Sequence, residues 1–249
     1  MKQLINIIFL LIMVLNASAQ TDFLKQQKKY VRVRTAFTDK EAVFNANLSK
    51  HYIDLESMNI LIVAFKAEDI FEIYAKDKSE TSYKQIASYQ VCSKSGELGP
   101  KRKQGDYQVP EGFYHIDRFN PASNYFLSLG INYPNAADRL KSKAKYLGGD
   151  IFIHGDCVTI GCLPMTDDKI KEIYLYAIHA RNNVQKQIPV YIFPFKMSDQ
   201  NFKVYSEKYT NNPSLIDFWT NLKVGYDLFV ENKEELKISV DGAGDYSFN

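Results

Sequence analysis

The sequence predicts an α+β protein, with a mainly antiparallel β core, sandwich- or barrel-like, and helices at both ends. Three observations predict it. Short apolar runs alternate with turn residues through the middle of the chain, between about Asn59 and Phe193, the texture of a sheet built from many short strands. Upstream, Val43, Phe44 and Leu48 recur at helical spacing. Downstream, Leu215, Phe218, Trp219, Leu222, Tyr226 and Phe229 form a longer helical stripe, whose plain reading is core packing.

Composition narrows the class. Of 249 residues, 45% are hydrophobic and 24% charged, with a net charge of +2. That balance excludes a disordered chain and gives no basic excess for nucleic acid. Met1-Lys2 opens a basic region, residues 4–15 are apolar, and Ala17-Ser18-Ala19 is a small-x-small cleavage site. Together these predict a secretory signal over 1–19. Its apolar run is shorter than the ~20 residues of a bilayer span, so no integral membrane span is expected after cleavage. An uncleaved anchor is the alternative. No Cys follows the cleavage site, which argues against a lipid anchor. The cysteines, Cys92, Cys157 and Cys162, are odd in number for an exported chain, and whether the first two pair stays open.

The elements then follow in order. Lys25, Lys28, Lys29, Arg32 and Arg34 read as a solvated helix face rather than a polymer-binding patch. Thr38 and Glu41 have capping-box spacing, which would start the first helix there. Residues 59–65 and 70–74 read as a hairpin, and 83–92 as the next strand. Turns are expected at 96–100 and 109–112, with strands at 113–116 and 125–129. Thr166 caps a helix with Asp167 and Asp168 in its first turn, where acids meet the positive helix end. Ile170, Ile173, Tyr174, Ala177 and Ile178 give that helix one apolar face. His179 lies beside that face and reads as a satisfied structural histidine. Residues 190–193 resume the sheet.

The chemistry concentrates between Ile151 and Met165. A short apolar strand ends in His154-Gly155, and a tight loop closes on Thr159-Ile160-Gly161-Cys162. Thiol catalysis needs a thiolate, a base that makes it, and donors for the oxyanion formed on attack. Cys162 offers the thiol, His154 the imidazole, and Gly161 an open main chain whose N–H groups can face a carbonyl oxygen. Two other readings stand beside this one. His and Cys at a strand end can be core residues. His154, Asp156, Cys157 and Cys162 can also be metal ligands, although no second ligand pair at zinc spacing appears.

These residues carry a resemblance. His154-Gly155 followed by Thr159-x-Gly161-Cys162 resembles the signature of the L,D-transpeptidase (YkuD-type) catalytic domain. Ile153-His154-Gly155-Asp156 through Leu163-Pro164-Met165-Thr166-Asp167 is most similar to its YafK-like branch. Gly96-Glu97-Leu98-Gly99-Pro100-Lys101-Arg102 running into Gly105-Asp106, Val109-Pro110-Glu111-Gly112-Phe113-Tyr114, and Ile131-Asn132-Tyr133-Pro134-Asn135 match the same branch in the same order. Asp217-Phe218-Trp219 with Lys223-x-Gly225-Tyr226 resembles its C-terminal extension. The similarity spans residues 34–241. The wider family carries a further His before the nucleophile and an Arg after it, where this chain has Ile160 and Pro164.

The resemblance implies a cysteine enzyme of the cell envelope that acts on peptidoglycan stem peptides through a Cys162 thioester, in the periplasm. It implies His154 as proton acceptor and donor, the Gly155 carbonyl as the group that orients the imidazole (with Asp156 the side-chain alternative), and no metal or organic cofactor. A wall-attached lipoprotein is a further partner implied by the branch. Arg102, Tyr133, Asn135 and Thr159 are the expected substrate-binding residues, with Lys101 and Lys103 beside Arg102 suited to carboxylates. His115 is a weaker candidate partner near the site. The expected organisation is 1–19 signal, 20–56 N-terminal helical segment, 57–196 catalytic domain and 197–249 helical extension.

Overall fold

The computed structural model describes residues 23–183 and 185–249. The expected signal segment lies outside them. An eight-stranded sheet forms the centre, in the order β3-β2-β1-β8-β4-β5-β6-β7. Its strands are β1 (Met58–Phe65), β2 (Ile70–Asp77), β3 (Lys84–Gln90), β4 (Gly112–Asn120), β5 (Ser128–Ile131), β6 (Phe152–His154), β7 (Leu163–Pro164) and β8 (Pro189–Phe193). The expected α+β class is what the chain adopts. The core is one curled, mainly antiparallel sheet, the barrel-like form of that expectation, in which β8 runs parallel to β1 and β7 parallel to β6. β7 follows β6 through the His154–Cys162 loop, whereas β8 joins β1 only after the intervening strands and helices.

The sheet curls until its edges meet. Just past β3, Cys92 N–H donates to Pro164 O of β7 at 3.0 Å, and Cys92 is disulfide-bonded to Cys157, with Cα atoms 5.5 Å apart. This resolves the pairing that the sequence left open. It also removes Cys157 from the set of possible metal ligands, since a disulfide sulfur has no thiolate to give.

The central strands are covered on both faces, which explains their unbroken apolar runs. Ile60, Ile62, Ala64, Val190 and Ile192 face a core that includes α1 (Val31–Lys50) and α3 (Asp167–Asn182). Leu61, Val63, Tyr191 and Phe193 face the opposite way, against the C-terminal segment. That segment comprises α4 (Asp199–Lys208), α5 (Pro213–Asn232) and the hairpin β9 (Ile238–Val240) with β10 (Tyr246–Phe248). The expected stripe on α5 is largely interior: Leu215, Phe218, Trp219, Leu222 and Phe229 are all buried.

Four local expectations meet different outcomes. Thr166 does cap α3, accepting from Lys169 N–H at 3.3 Å. Thr38 caps nothing. It sits inside α1, its hydroxyl donating to Arg34 O at 3.2 Å, because Val33, Ala36 and Phe37 extend the buried helical face one and a half turns upstream. The strand expected at 125–129 begins only at Ser128, since Phe126 adopts a left-handed φ of 66° that an extended ladder does not tolerate. His179 is buried and stacks on Phe44 with ring centroids 5.2 Å apart, and burial lowers its pKa to about 4.

One buried ion pair joins the sheet to the extension. Glu111, 0% exposed, accepts from Lys66 Nζ at 2.9 Å, Trp219 Nε1 at 2.9 Å and Gly99 N–H at 2.6 Å. Lys66 Nζ also donates to Gly99 O and Val109 O. Removing one partner strands a buried charge, so Glu111→Ala is expected to lose about 3–5 kcal/mol of stability. Urea denaturation checks this, and a loss within ~0.5 kcal/mol would mean that the network does not hold α5 to the sheet.

Candidate active site

The parallel pairing of β6 and β7 assembles the site. Ile153 is opposite Leu163 and His154 opposite Pro164, so Cys162 falls beside Phe152. Ile153 and Leu163 point into the core with α3. Side chains alternate along a strand, so His154 and Cys162 share the other face. This is the physical reason why a histidine and a cysteine eight positions apart in sequence come to one face of the sheet.

His154 is 1% exposed and covered by Tyr125, whose ring centroid lies 4.7 Å away. Its Nδ1 is 2.5 Å from Gly155 O, so Nδ1–H donates to that carbonyl and Nε2 is the free, basic nitrogen. Burial lowers the His154 pKa, although the Gly155 carbonyl and Asp156 pull the other way. The imidazole is therefore neutral at neutral pH, the state a proton acceptor needs. Asp156, the side-chain alternative for orienting it, turns its carboxylate to Cys157 N–H at 2.6 Å instead. A Cβ at position 155 would stand 2.5 Å from Asp167 Oδ1 and 2.8 Å from Tyr125 O, so only glycine fits between the histidine and α3.

Cys162 is the free cysteine. Its Sγ accepts from Phe152 N–H at 3.4 Å and lies 3.7 Å from Asp150 O, an acceptor for the S–H. Burial raises the thiol pKa, with the Phe152 N–H and Lys101 opposing. Both shifts favour the uncharged forms, thiol and neutral imidazole.

The oxyanion donors expected around Gly161 and Cys162 are occupied. Thr159 Oγ1 accepts from Gly161 N–H at 3.1 Å and Cys162 N–H at 2.9 Å, and donates to Cys162 O at 2.9 Å. Thr159, expected to bind substrate, instead folds the nucleophile turn, as short hydroxyl side chains do when they bond the backbone a few residues on. Gly161 has φ +133°, and Gln108 O would meet a Cβ there at 2.9 Å, so glycine is required by both strain and space.

The other expected substrate contacts lie in a separate buried network. Arg102 Nη1 donates to Asp138 Oδ1 at 3.1 Å. Asn135 caps α2 (Ala136–Lys141) through a capping box with Asp138, and its Nδ2 reaches Phe113 O and Tyr246 Oη. Tyr133 Oη donates to Leu147 O at 3.2 Å. Burial pushes the Asp138 carboxyl up to about 6. Lys101 pairs with Asp106 at 2.6 Å. His115 lines a different cavity with Asn135, Tyr191 and Leu236, not the one at the thiol. Among the described residues, the Lys101, Arg102, Tyr133 and Asn135 side chains are thus engaged in holding loops in place.

Cys162 opens instead on a cleft of about 240 Å³ whose far wall is formed by Tyr205, Lys208 and Tyr209 from the C-terminal extension. In the sequence these residues stand out only as part of the expected 197–249 helical extension. Val158 and Ile160, in the loop just before Cys162, are exposed, the latter 73%. Among the described residues no three His, Cys, Asp or Glu side chains cluster as a metal site, and no helix is long and apolar enough to cross a membrane.

Comparison with known proteins places the chain in a family. Residues 59–192 match the model of the L,D-transpeptidase catalytic domain, YkuD. The chain is 40% identical over 196 residues to the putative L,D-transpeptidase YafK of Escherichia coli K12, covering 78% of this chain and 76% of that protein. The O157:H7 counterpart matches equally. Among solved structures, the helical cell shape determining protein Pgp2 of Campylobacter jejuni aligns at 17% identity and a TM-score of 0.44, over 74% of this chain and 73% of that one. Bd1075 of Bdellovibrio bacteriovorus aligns at 18% identity and 0.40, over 73% and 74%.

Proposed function

The chain belongs to the L,D-transpeptidase catalytic-domain family, and from that premise we propose that it is an exported cysteine acyltransferase of the cell envelope that acts on peptidoglycan stem peptides. The observation that carries the mechanism is the Nδ1–H bond from His154 to Gly155 O, which leaves Nε2 as the base on the face shared with Cys162. The thiol leaves Asp150 O and gives its proton to Nε2. The thiolate attacks an amide carbonyl that follows the L-centre of the stem's diamino acid. The C–N bond breaks, imidazolium protonates the departing amine, and a thioester remains on Cys162. The oxyanion takes the N–H groups of the Gly161–Cys162 turn when Thr159 releases them. Residues 57–196 carry this chemistry, and residues 197–249 close the cleft.

Water or an amine then resolves the thioester. The exposed Ile160 and Val158 present no polar group that would hold an incoming amine, whereas water needs none. That observation favours hydrolysis as a second activity, including trimming of cross-links or release of a wall-attached lipoprotein. A tetrapeptide donor with excess diamino-acid amine in ¹⁸O-labelled water separates the two. Label in the product carboxylate is the expected result, and exclusive amine adducts would overturn the hydrolytic assignment. Absence of both products would overturn the stem-peptide reading itself.

A further inference from the structure

The loop that joins β4 to β5, residues 121–127, folds over the His154 imidazole. Tyr125 lays its ring there, with centroids 4.7 Å apart and planes 35° from parallel, while the residue stays 45% exposed. Its main-chain carbonyl packs on Gly155, 2.8 Å from where a Cβ would stand. Within the loop, Ser123 Oγ accepts from Tyr125 N–H at 3.1 Å, and Phe126 takes its left-handed φ of 66°. Arg32 holds both ends of this turn. Its Nη1 donates to Ser123 O and, at 2.7 Å, to Phe126 O, and its guanidinium lies 5.5 Å from the centre of the Phe126 ring. Such charge-assisted bonds are stronger than neutral ones. Arg32 is the second residue of α1 and precedes residue 59, where the matched catalytic segment begins.

We infer that Tyr125 is a positioning residue for the His154 imidazole and that Arg32 of α1 holds Tyr125 in place, so that the N-terminal helix orients the base. The inference rests on the reading of His154 as the proton acceptor. The imidazole is hydrogen-bonded at one edge, from Nδ1–H to Gly155 O. A single bond leaves the ring free to rock about Cβ–Cγ, a torsion that is soft by itself. A second ring packed on its face stops that motion and keeps Nε2 on the side of the sheet that Cys162 shares. The same cover excludes water, in line with the burial that lowers the His154 pKa. The charged groups around the imidazole lie elsewhere. Asp156, on its own loop, pulls the pKa the other way. Asp167 of α3 accepts from Asp156 N–H at 2.9 Å. On the loop side the cations are Arg32 and Lys171, the latter 5.6 Å from the Phe126 ring centre.

The test compares Tyr125→Phe, Tyr125→Leu, Arg32→Met and the Tyr125→Leu/Arg32→Met double variant with the parent protein. Two quantities are read: kcat and KM on a stem tetrapeptide against pH, and the His154 ring titration by NMR, assigned by its loss in His154→Gln. Tyr125→Leu should lower kcat by about 10- to 10²-fold, as misplaced catalytic groups do, with KM little changed. It should also move the acid limb and the ring titration to higher pH, because an uncovered imidazole regains its hydration. Tyr125→Phe keeps the ring face and should match the parent in both. Arg32→Met should shift both quantities in the direction of Tyr125→Leu. The double variant should lose no more kcat than Tyr125→Leu alone, since both changes act through one ring. If Tyr125→Leu does not fold, Tyr125→Met carries the same expectations. A ring titration unmoved by loss of the Tyr125 ring overturns the positioning role, and with turnover retained it leaves the acyltransferase reading intact. Losses that multiply in the double variant overturn the link to Arg32. A titration that shifts as stated, in a protein that never turns over stem peptides, supports the positioning role and overturns the acyltransferase reading.

Discussion

Cys162→Ala is expected to abolish turnover to background, and His154→Ala to lower kcat/KM by about 10²–10⁴-fold. The asymmetry follows from the site. Without the thiol no thioester forms, whereas without the imidazole a small thiolate fraction survives. Burial raises the Cys162 pKa and lowers that of His154, so the pair rests as thiol and neutral imidazole. Activity therefore falls as pH drops through the His154 pKa, which lies below the ordinary histidine value. In His154→Ala that acid limb should vanish, and alkylation of Cys162 by iodoacetamide should require a higher pH. Native protein should show a single reactive thiol, since Cys92 and Cys157 are joined. Retention of the acid limb in His154→Ala would assign the base elsewhere.

Opening the Cys92–Cys157 bridge should impair both stability and catalysis. The bridge spans a sequence separation of 65, for which loop-closure entropy gives about 4 kcal/mol. Its position matters as much as its length. Cys157 lies in the loop that joins His154 to Cys162, and Cys92 lies at the edge strand, where its N–H bonds Pro164 O. Once cut, the loop keeps Asp156 N–H on Asp167 and the Thr159 turn, but loses its covalent tie to the opposite sheet edge. A misplacement of about 1 Å costs on the order of 10²-fold in rate, so the Cys92→Ser/Cys157→Ser double variant should melt earlier and turn over slower by up to that factor. Thermal melts and steady-state kinetics check the pair. An unchanged melting temperature, or full activity in the double variant, would mean that the remaining hydrogen bonds suffice to hold the loop.

What the sequence by itself determined is local or periodic. The strand-rich centre, the α3 cap at Thr166, the α5 stripe and the His154-Gly155…Gly161-Cys162 pair are each written in neighbouring residues, since burial periodicity and loop chemistry act over short spans. Tertiary structure decided the rest. Parallel pairing of β6 with β7 put His154 and Cys162 on one face, a relation no spacing rule encodes. The curling of the sheet brought Cys92 to Cys157, ninety-second and one-hundred-and-fifty-seventh in the chain, and so settled a pairing that counting left open. Arg102, Tyr133, Asn135 and Thr159 have side chains suited to ligands, and only their hydrogen-bond partners show that the fold already engages them. Tyr205 and Tyr209 carry no local mark of a site. They line the cavity at Cys162 because the C-terminal extension packs against the sheet, a relation between distant segments that a linear pattern does not contain.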